Sequence, residues 1–195
     1  MFSGIIEGLK KPKKISKIPE GLRLEIPVPN KWKMKIGDSI CVDGVCSTIE
    51  KIACAAFEVY YMPETLSKTT LSQASAEHFF NLEMPLKLNS LVGGHLVSGH
   101  VDTTAEVLSI KKEKDSRILE FRLPKQFTKY IVYKGSVTIN GVSLTVVSVS
   151  STSFTVSLIP YTLAHTNLGS LKTGNKVNIE VDMVAKYLEK LLKQA

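Results

Sequence analysis

NGVSLT at residues 140–145 decides how the chain is read, because DGVCST at residues 43–48 repeats it 97 positions earlier. Each copy sets an Asn-Gly or Asp-Gly pair between runs that alternate apolar and small polar residues. Such dipeptides supply the positive φ angles of a tight β-hairpin, so each copy predicts two antiparallel strands joined at that pair. The strand leaving each turn carries small hydroxyl or thiol groups, Cys46 and Thr48 in one copy and Ser143 and Thr145 in the other. These can hydrogen-bond a ligand without filling its space.

The repeat extends well beyond the turns. Comparing residues 22–83 with 119–180 without a gap aligns fifteen identical pairs, among them Leu22/Leu119, Pro27/Pro124, Ser39/Ser136, Gly44/Gly141, Pro63/Pro160 and Glu83/Glu180, where average usage gives about four. The chain therefore reads as a duplicated domain. Strands are predicted at 2–9, 23–28, 39–42, 45–52, 55–62 and 80–84, then at 104–110, 117–123, 137–139, 142–149, 154–159 and 176–182. Helical turns are predicted at 31–35, at 126–131, and after Pro63 and Pro160. Six short strands per copy that close on themselves remove exposed edges, so the fold class is all-β, two tandem six-stranded Greek-key barrels. At the tail, Val184, Tyr187, Leu188, Leu191 and Leu192 share one helical face. That face can pack on its own barrel or against tails from other copies, which implies oligomers. The expected division is 1–97, 98–183 and a helix at 184–195.

Composition narrows the function classes. Apolar residues at 44% support a real core and exclude bulk disorder. No apolar run of membrane-spanning length and no signal-peptide pattern occurs, so a soluble, unprocessed, cytoplasmic protein is expected. Three cysteines, Cys41, Cys46 and Cys54, lack paired zinc spacing and favour reduced thiols. The net charge of +7 invites a nucleic-acid reading, but the lysine clusters at 10–14 and 111–114 read as solvated hairpin tips. They lack the interleaved aromatics of a base-stacking platform, so neither nucleic acid nor membrane is an expected partner. His95 and His100, with Asp102, allow a metal reading, a packing reading and a proton-transfer reading; their spacing fits no standard zinc pattern.

Taken together, MFSGIIEG (1–8), GDSICVDGVCST (37–48), PETL (63–66), GGHLVSGHVD (93–102), KGSVTINGVSLTV (134–146), LIPYTLAHTNLG (158–169) and VNIEVD (177–182) resemble the riboflavin synthase family of lumazine-binding double barrels. The resemblance covers nearly the whole chain. It implies pseudo-two-fold barrels, a C-terminal helix joining three chains, and an active site between the N-barrel of one chain and the C-barrel of its neighbour. The implied reaction is a dismutation without cofactor or metal. Two molecules of 6,7-dimethyl-8-ribityllumazine give riboflavin and 5-amino-6-ribitylaminouracil by four-carbon transfer. Association with lumazine synthase is a further implied partnership.

By the same resemblance, His100 is the proton-transfer group and lines the N-barrel pocket with Val101 and Asp102. Ser39, Cys46, Ser47 and Thr48 belong to that pocket; Ser143, Leu144 and Thr145 belong to its counterpart. Cys46 standing where the repeat has Ser143 suits a reaction in which one pocket holds donor and the other acceptor. Gly4, Ile5 and Ile6 carry over as backbone contacts. Tyr60, Tyr61, Met62, Pro63, Glu64 and Thr65, and Ile159, Pro160, Tyr161, Thr162, Leu163 and Ala164, carry over as ribityl and ring contacts. Lys134 is either contributed to a neighbouring chain's site or an ordinary surface lysine, and Asp182 orients a catalytic group. The expected catalytic set is His100, Cys46, Ser143 and Asp182. Asn140 departs from the family's usual Asp and Tyr161 from its His or Glu, which removes those acidic relays here. Two rival readings are a non-catalytic lumazine or flavin carrier on the same fold and, from charge alone, an RNA-binding barrel.

Overall fold

The computed structural model of the chain describes residues 1–193. The second half is a closed six-stranded antiparallel barrel, made of β8 (Thr103–Glu113), β9 (Ser116–Arg122), β10 (Ser136–Ile139), β11 (Val142–Val149), β12 (Ser153–Leu158) and β13 (Lys176–Val181) in the order β10-β11-β12-β9-β8-β13. In the first half the order is β1-β7-β4-β5-β6-β3-β2, for β1 (Gly8–Lys10), β2 (Lys14–Ile18), β3 (Gly21–Pro27), β4 (Ser39–Val42), β5 (Val45–Ala53), β6 (Ala56–Tyr61) and β7 (Phe80–Glu83). The two edge pieces, β1 and β2, are halves of one strand broken at residues 11–13, where Pro12 has no N–H to give to a ladder. The chain itself thus closes the first ring, as the unbroken β8 closes the second.

Three expectations for this half are corrected. The first strand begins at Gly8, not Phe2, and the lysine cluster at 10–14 sits at the strand break rather than a hairpin tip. The cluster at 111–114 does reach a tip, where Glu113 pairs with Ser116. Residues 31–35 form no helix, because Lys31 takes a left-handed φ of 70°. In the other half a short helix, α2 (Lys125–Thr128), starts one residue before the predicted span. The helices after the matched prolines form as expected, α1 (Pro63–Lys68) and α3 (Pro160–His165), each with proline in its first turn.

The register between repeats also differs from the ungapped comparison. Val59 lies opposite Leu24, whereas its mate Val156 lies opposite Leu119. The spatial mate of Leu119 is therefore Leu24, not Leu22, and that of Pro124 is Pro29, not Pro27. Up to β3 the repeat runs at an offset of 95 (119 − 24); from β4 on it runs at 97 (136 − 39), as Ser39 opposite Thr48 and Ser136 opposite Thr145 require. Two residues have been gained or lost between β3 and β4.

Alternation along the strands fills each barrel with apolar side chains. Leu24, Ile26, Ile40, Ile49, Phe57 and Phe80 pack one interior; Phe121, Val137, Val146, Phe154 and Ile179 pack the other. Both interiors are occupied by these side chains. The two Gly-containing turns meet back to back between the barrels: a Cβ on Gly44 would stand 2.8 Å from the Gly141 nitrogen, and one on Gly141 would stand 2.8 Å from the Gly44 nitrogen. Asp43 and Gly44, with φ of 48° and 83°, and Asn140 and Gly141, with φ of 46° and 81°, have the doubly positive pattern of a type I′ turn.

Around this contact lies a buried polar network. Asn81 donates to the Asn140 carbonyl and the Asn167 side chain, and Asn178 donates to the Asp43 carbonyl. Asp43 itself accepts from the Asn81 N–H, from the Asn167 amide and from His78 at 2.6 Å. The last helix, α4 (Met183–Leu192), turns Lys186 to Asp102 and Glu189 to Lys129 and Tyr130 on its own barrel. Val184, Tyr187, Leu188, Leu191 and Leu192 face away and are exposed, so the apolar face does not pack on its own chain. Residues 194–195 of the predicted tail lie outside the described residues.

Candidate functional site

The short segments that lead into the two barrels cross over. Phe2 and Val97 pair as an antiparallel bridge on the pseudo-two-fold axis. From there residues 3–6 run onto the second barrel, where the Gly4 carbonyl accepts from the Ser143 N–H at 2.8 Å and Ile6 joins the apolar core. Residues 98–101 run onto the first barrel, where the Gly99 carbonyl accepts from the Cys46 N–H at 2.7 Å and Val101 joins that core. Each crossing needs glycine: φ is 75° at Gly4 and 80° at Gly99, and a Cβ on either would come within 2.6 Å of the Cβ of Ser143 or Cys46.

The crossing places His100 and Val101 beside Cys46, Glu64, Thr65, Lys68 and Thr69, around a cleft of about 310 Å³ on the outside of the first barrel. Small-molecule sites span about 300–1,000 Å³. Strand alternation explains the lining. On β5 Val45, Ser47 and Ile49 are buried, while Cys46 and Thr48 point outward with Ser39 opposite Thr48. Helix α1 frames the far side, with Lys68 bridged to Glu64 at 2.8 Å. That bridge lowers the Glu64 pKa and keeps the group ionised. Met62, just before the helix, is exposed, and Pro63 opens the helix.

Several expected contacts point elsewhere. Ser47 and Tyr61 are buried in the barrel and bonded to each other at 2.8 Å, an interior pair rather than a ligand pair. Burial pushes the Tyr61 hydroxyl well above its ordinary pKa, so it stays protonated. Tyr60 faces outward beneath Arg23 and donates to the Glu20 carbonyl. Asp102 accepts from the Val181 N–H at 2.9 Å and pairs with Lys186 at 2.7 Å, which ties it to the second barrel and its helix. Asp182 caps α4 by accepting from the Val184 N–H. Cys41, opposite Cys46 on the neighbouring strand, is buried with Phe2 and Val97, and burial raises its thiol pKa well above the usual range.

On the second barrel the mates recur with different chemistry. Ser143 and Thr145 face outward on β11 while Leu144 leans on the core. His95, half-buried, meets the Ser143 hydroxyl through Nδ1 at 2.7 Å and the Thr138 hydroxyl through Nε2 at 3.2 Å. Burial lowers the His95 pKa against the opposing charges of Asp182 and Glu180, so the ring is neutral at pH 7 and can hold a proton on one nitrogen while accepting at the other. The sequence brought His95 forward, but only the crossing shows that it serves the barrel opposite the one bearing His100. On α3, Tyr161 stacks on His165 at 4.0 Å between ring centres, in place of the Glu64–Lys68 pair. Ile159 and Tyr161 are exposed, with Pro160, Thr162, Leu163 and Ala164 on the same short helix. Ile5, in the crossing segment, is also exposed. Lys134 takes a φ of 62° in the turn before β10, with its ammonium over the Tyr133 ring.

A larger cleft of about 660 Å³ opens between the barrels over His78, Phe79, Asn140 and Asn167. Its floor is the amide network, in which each polar group has a protein partner, so size alone does not mark it as the site. Among the described residues no group of three His, Cys, Asp or Glu side chains is placed to hold a metal ion. None of the helices described there is long and apolar enough to cross a membrane.

Comparison with known proteins agrees with this geometry. A family described as "Lumazine binding domain" matches residues 3–85 and again 98–182. A riboflavin synthase of Actinobacillus pleuropneumoniae is 40% identical over 193 residues, covering 98% of this chain and 90% of the relative. Among solved structures, LumP complexed with riboflavin superposes with a TM-score of 0.87 at 27% identity, covering 93% of this chain and all (100%) of that one. LumP complexed with 6,7-dimethyl-8-(1'-D-ribityl) lumazine does so with a TM-score of 0.84, covering 93% and 99%. With both repeats matched and the relatives aligned almost end to end, the chain belongs to the riboflavin synthase family of lumazine-binding proteins.

Proposed function

We propose that the chain is a riboflavin synthase, which joins two molecules of 6,7-dimethyl-8-ribityllumazine and releases riboflavin and 5-amino-6-ribitylaminouracil. The observation that carries the reading is the pair of related but unequal outer-face sites. Cys46 with His100 serves one barrel; Ser143 with His95 serves the other. Two copies of one heterocycle suit two copies of one site, and their inequality suits a donor and an acceptor. The products together contain every atom of the two substrates, so the transfer needs no oxidant or reductant.

Holding two planar rings against one another supplies much of the rate, since effective molarities reach about 10⁵ M or more. The rest is proton transfer from an acidic ring methyl and attack on the neighbouring ring carbon. His100, in the open crossing segment, is placed to move that proton. Neutral His95 holds the Ser143 hydroxyl ready to donate to or accept from the second ring. Cys46 and Thr65 frame the first ligand, and Ile5, Ile6 and Thr162 the second.

The two sites lie on separate barrels, so a productive pair brings the first barrel of one chain against the second barrel of another. The outward apolar face of α4 supports a homotrimer as the assembly that does this. Lys134 then stands as the residue given to the neighbour's site. Units of 1–97, 98–183 and 184–195, a cytoplasmic location and an association with lumazine synthase complete the reading. The last is tested by co-sedimentation.

The deciding experiment incubates purified protein with the lumazine alone and follows flavin absorbance. The expected result is one riboflavin for two lumazines consumed, with chelator present. Lumazine or riboflavin retained without turnover would instead make the chain a carrier, the reading that likeness to ligand-bound LumP favours.

A further inference from the structure

Glu83 and Glu180 are repeat mates near the ends of β7 and β13, both almost fully buried, and neither lines either cleft described above. Each carboxylate receives three hydrogen bonds of the same pattern. Glu83 accepts from the Ser3 N–H at 2.6 Å, the Ser3 hydroxyl at 2.7 Å and the Gly4 N–H at 3.0 Å. Glu180 accepts from the Ser98 N–H at 2.7 Å, the Ser98 hydroxyl at 2.6 Å and the Gly99 N–H at 2.9 Å. The next step of each segment lies on the other barrel: Gly4 on Ser143, and Gly99 on Cys46.

We infer that these two carboxylates are crossed positioning residues, each belonging to one barrel and setting the geometry of the ligand site on the other. Glu180, rooted in the second barrel, fixes the segment that presents His100 and Val101 to the first. Glu83, rooted in the first, fixes the segment that lays Gly4 to Ile6 over Ser143. An ionised carboxylate is suited to this because it only accepts, and three converging donors need two oxygens. A glutamine keeps the size but turns an N–H₂ toward one of the donors, so at least one bond is lost. Both sites share this design and differ in what the clamp delivers, a histidine on one side and Ile5 on the other. One barrel cannot be perfected alone, because the part that finishes its site is anchored in its twin.

The test compares full-length Glu83→Gln and Glu180→Gln with wild type by amide hydrogen exchange and by ligand binding. In Glu180→Gln the Cys46 amide should exchange about ten- to a hundredfold faster, the factor expected for a charge-assisted bond, while the Ser143 amide is unchanged. Glu83→Gln should do the reverse. Neither substitution should speed exchange across its own barrel's ladder, at Val107 or Val59. Uniform loosening of the home barrel, or equal effects on both amides, would overturn the assignment and leave an ordinary buried carboxylate. Glu180→Asp, which keeps an acceptor pair on a shorter arm, should restore part of the Cys46 protection and guards against a glutamine variant that folds poorly. The ligand arm rests on the pocket reading above: riboflavin protection of Cys46 from alkylation should weaken in Glu180→Gln and persist in Glu83→Gln. If exchange crosses as described while wild-type Cys46 gains no protection from riboflavin, the clamp stands and the pocket reading falls.

Discussion

Asp43 sits without exposed surface where the two turns meet, while its mate Asn140 is uncharged. Burial raises the Asp43 pKa against the hydrogen bond and charge of His78. For His78, burial opposes protonation, but the Asp43 hydrogen bond and charge prevail and the net pKa is raised above 6.5. A raised folded pKa contributes stability that is present below the unfolded value and lost as pH rises through the folded one. Wild-type stability should therefore decline from about pH 6.5 upward, over the His78 window, in denaturant titrations. Asp43→Asn should reverse that slope, because without the carboxylate only burial acts on the His78 pKa and lowers it, while the amide still fits the turn as it does at the mate position. Asp43→Ala strands the Asn81 N–H and the Asn167 amide and should cost about 2–4 kcal/mol. At the sites, His100→Ala and Ser143→Ala should lower turnover by about 10²-fold or more, the usual scale for a proton-transfer group, while changing ligand affinity far less. Wild-type rates in both would remove these residues from the mechanism. That Cys46 and Thr48, like Ser143 and Thr145, share a face was legible in the sequence because β alternation fixes it, but that this face is the outer one was not. The inward turn of Ser47 and Tyr61 follows from the same alternation, but a resemblance that carries whole segments over does not separate odd from even positions.

At the scale of elements, the duplicated hairpin was readable because its chemistry is local: two positive φ angles demand Asn or Asp followed by Gly. What that turn does was not readable, since back-to-back packing of Gly44 and Gly141 joins positions 97 apart. Gly44→Ala combines left-handed strain with a contact at 2.8 Å and should cost at least about 2 kcal/mol. Gly37→Ala, at φ 89° with nothing within 4 Å of its Cβ, carries the strain alone and should cost less. Equal melting midpoints for the two would show that the turn contact has no energetic role. The broken first strand was hidden because Lys-Pro-Lys reads as a loop, and apolar residues 2–6 mimic a strand while serving as the crossing segment. The ungapped repeat concealed the two-residue change between β3 and β4, since chance identities at Leu22 and Pro27 masked the true mates. Helix α4 was legible in position, and its stripe left two packings open. Ion pairs from Lys186 and Glu189 settle which face turns inward. Deleting residues 184–195 should reduce the sedimenting species to a monomer, and an unchanged profile would contradict assembly through the tail.

For the whole molecule, each barrel is finished by its twin's leading segment. Under the proposed function, each ligand then has to meet another from a second chain. Specific activity should accordingly fall on dilution below the assembly's dissociation constant, and a lumazine-bound assembly should resist that dilution better. The most direct test of this central claim mixes two inactive variants, His100→Ala and Ser143→Ala, after separate purification and subunit exchange. A site built from the first barrel of one chain and the second of another predicts that mixing restores activity, since some interfaces then pair two intact sites. Activity that stays at the level of the separate variants after proven exchange would contradict the account and place the whole reaction within a single chain.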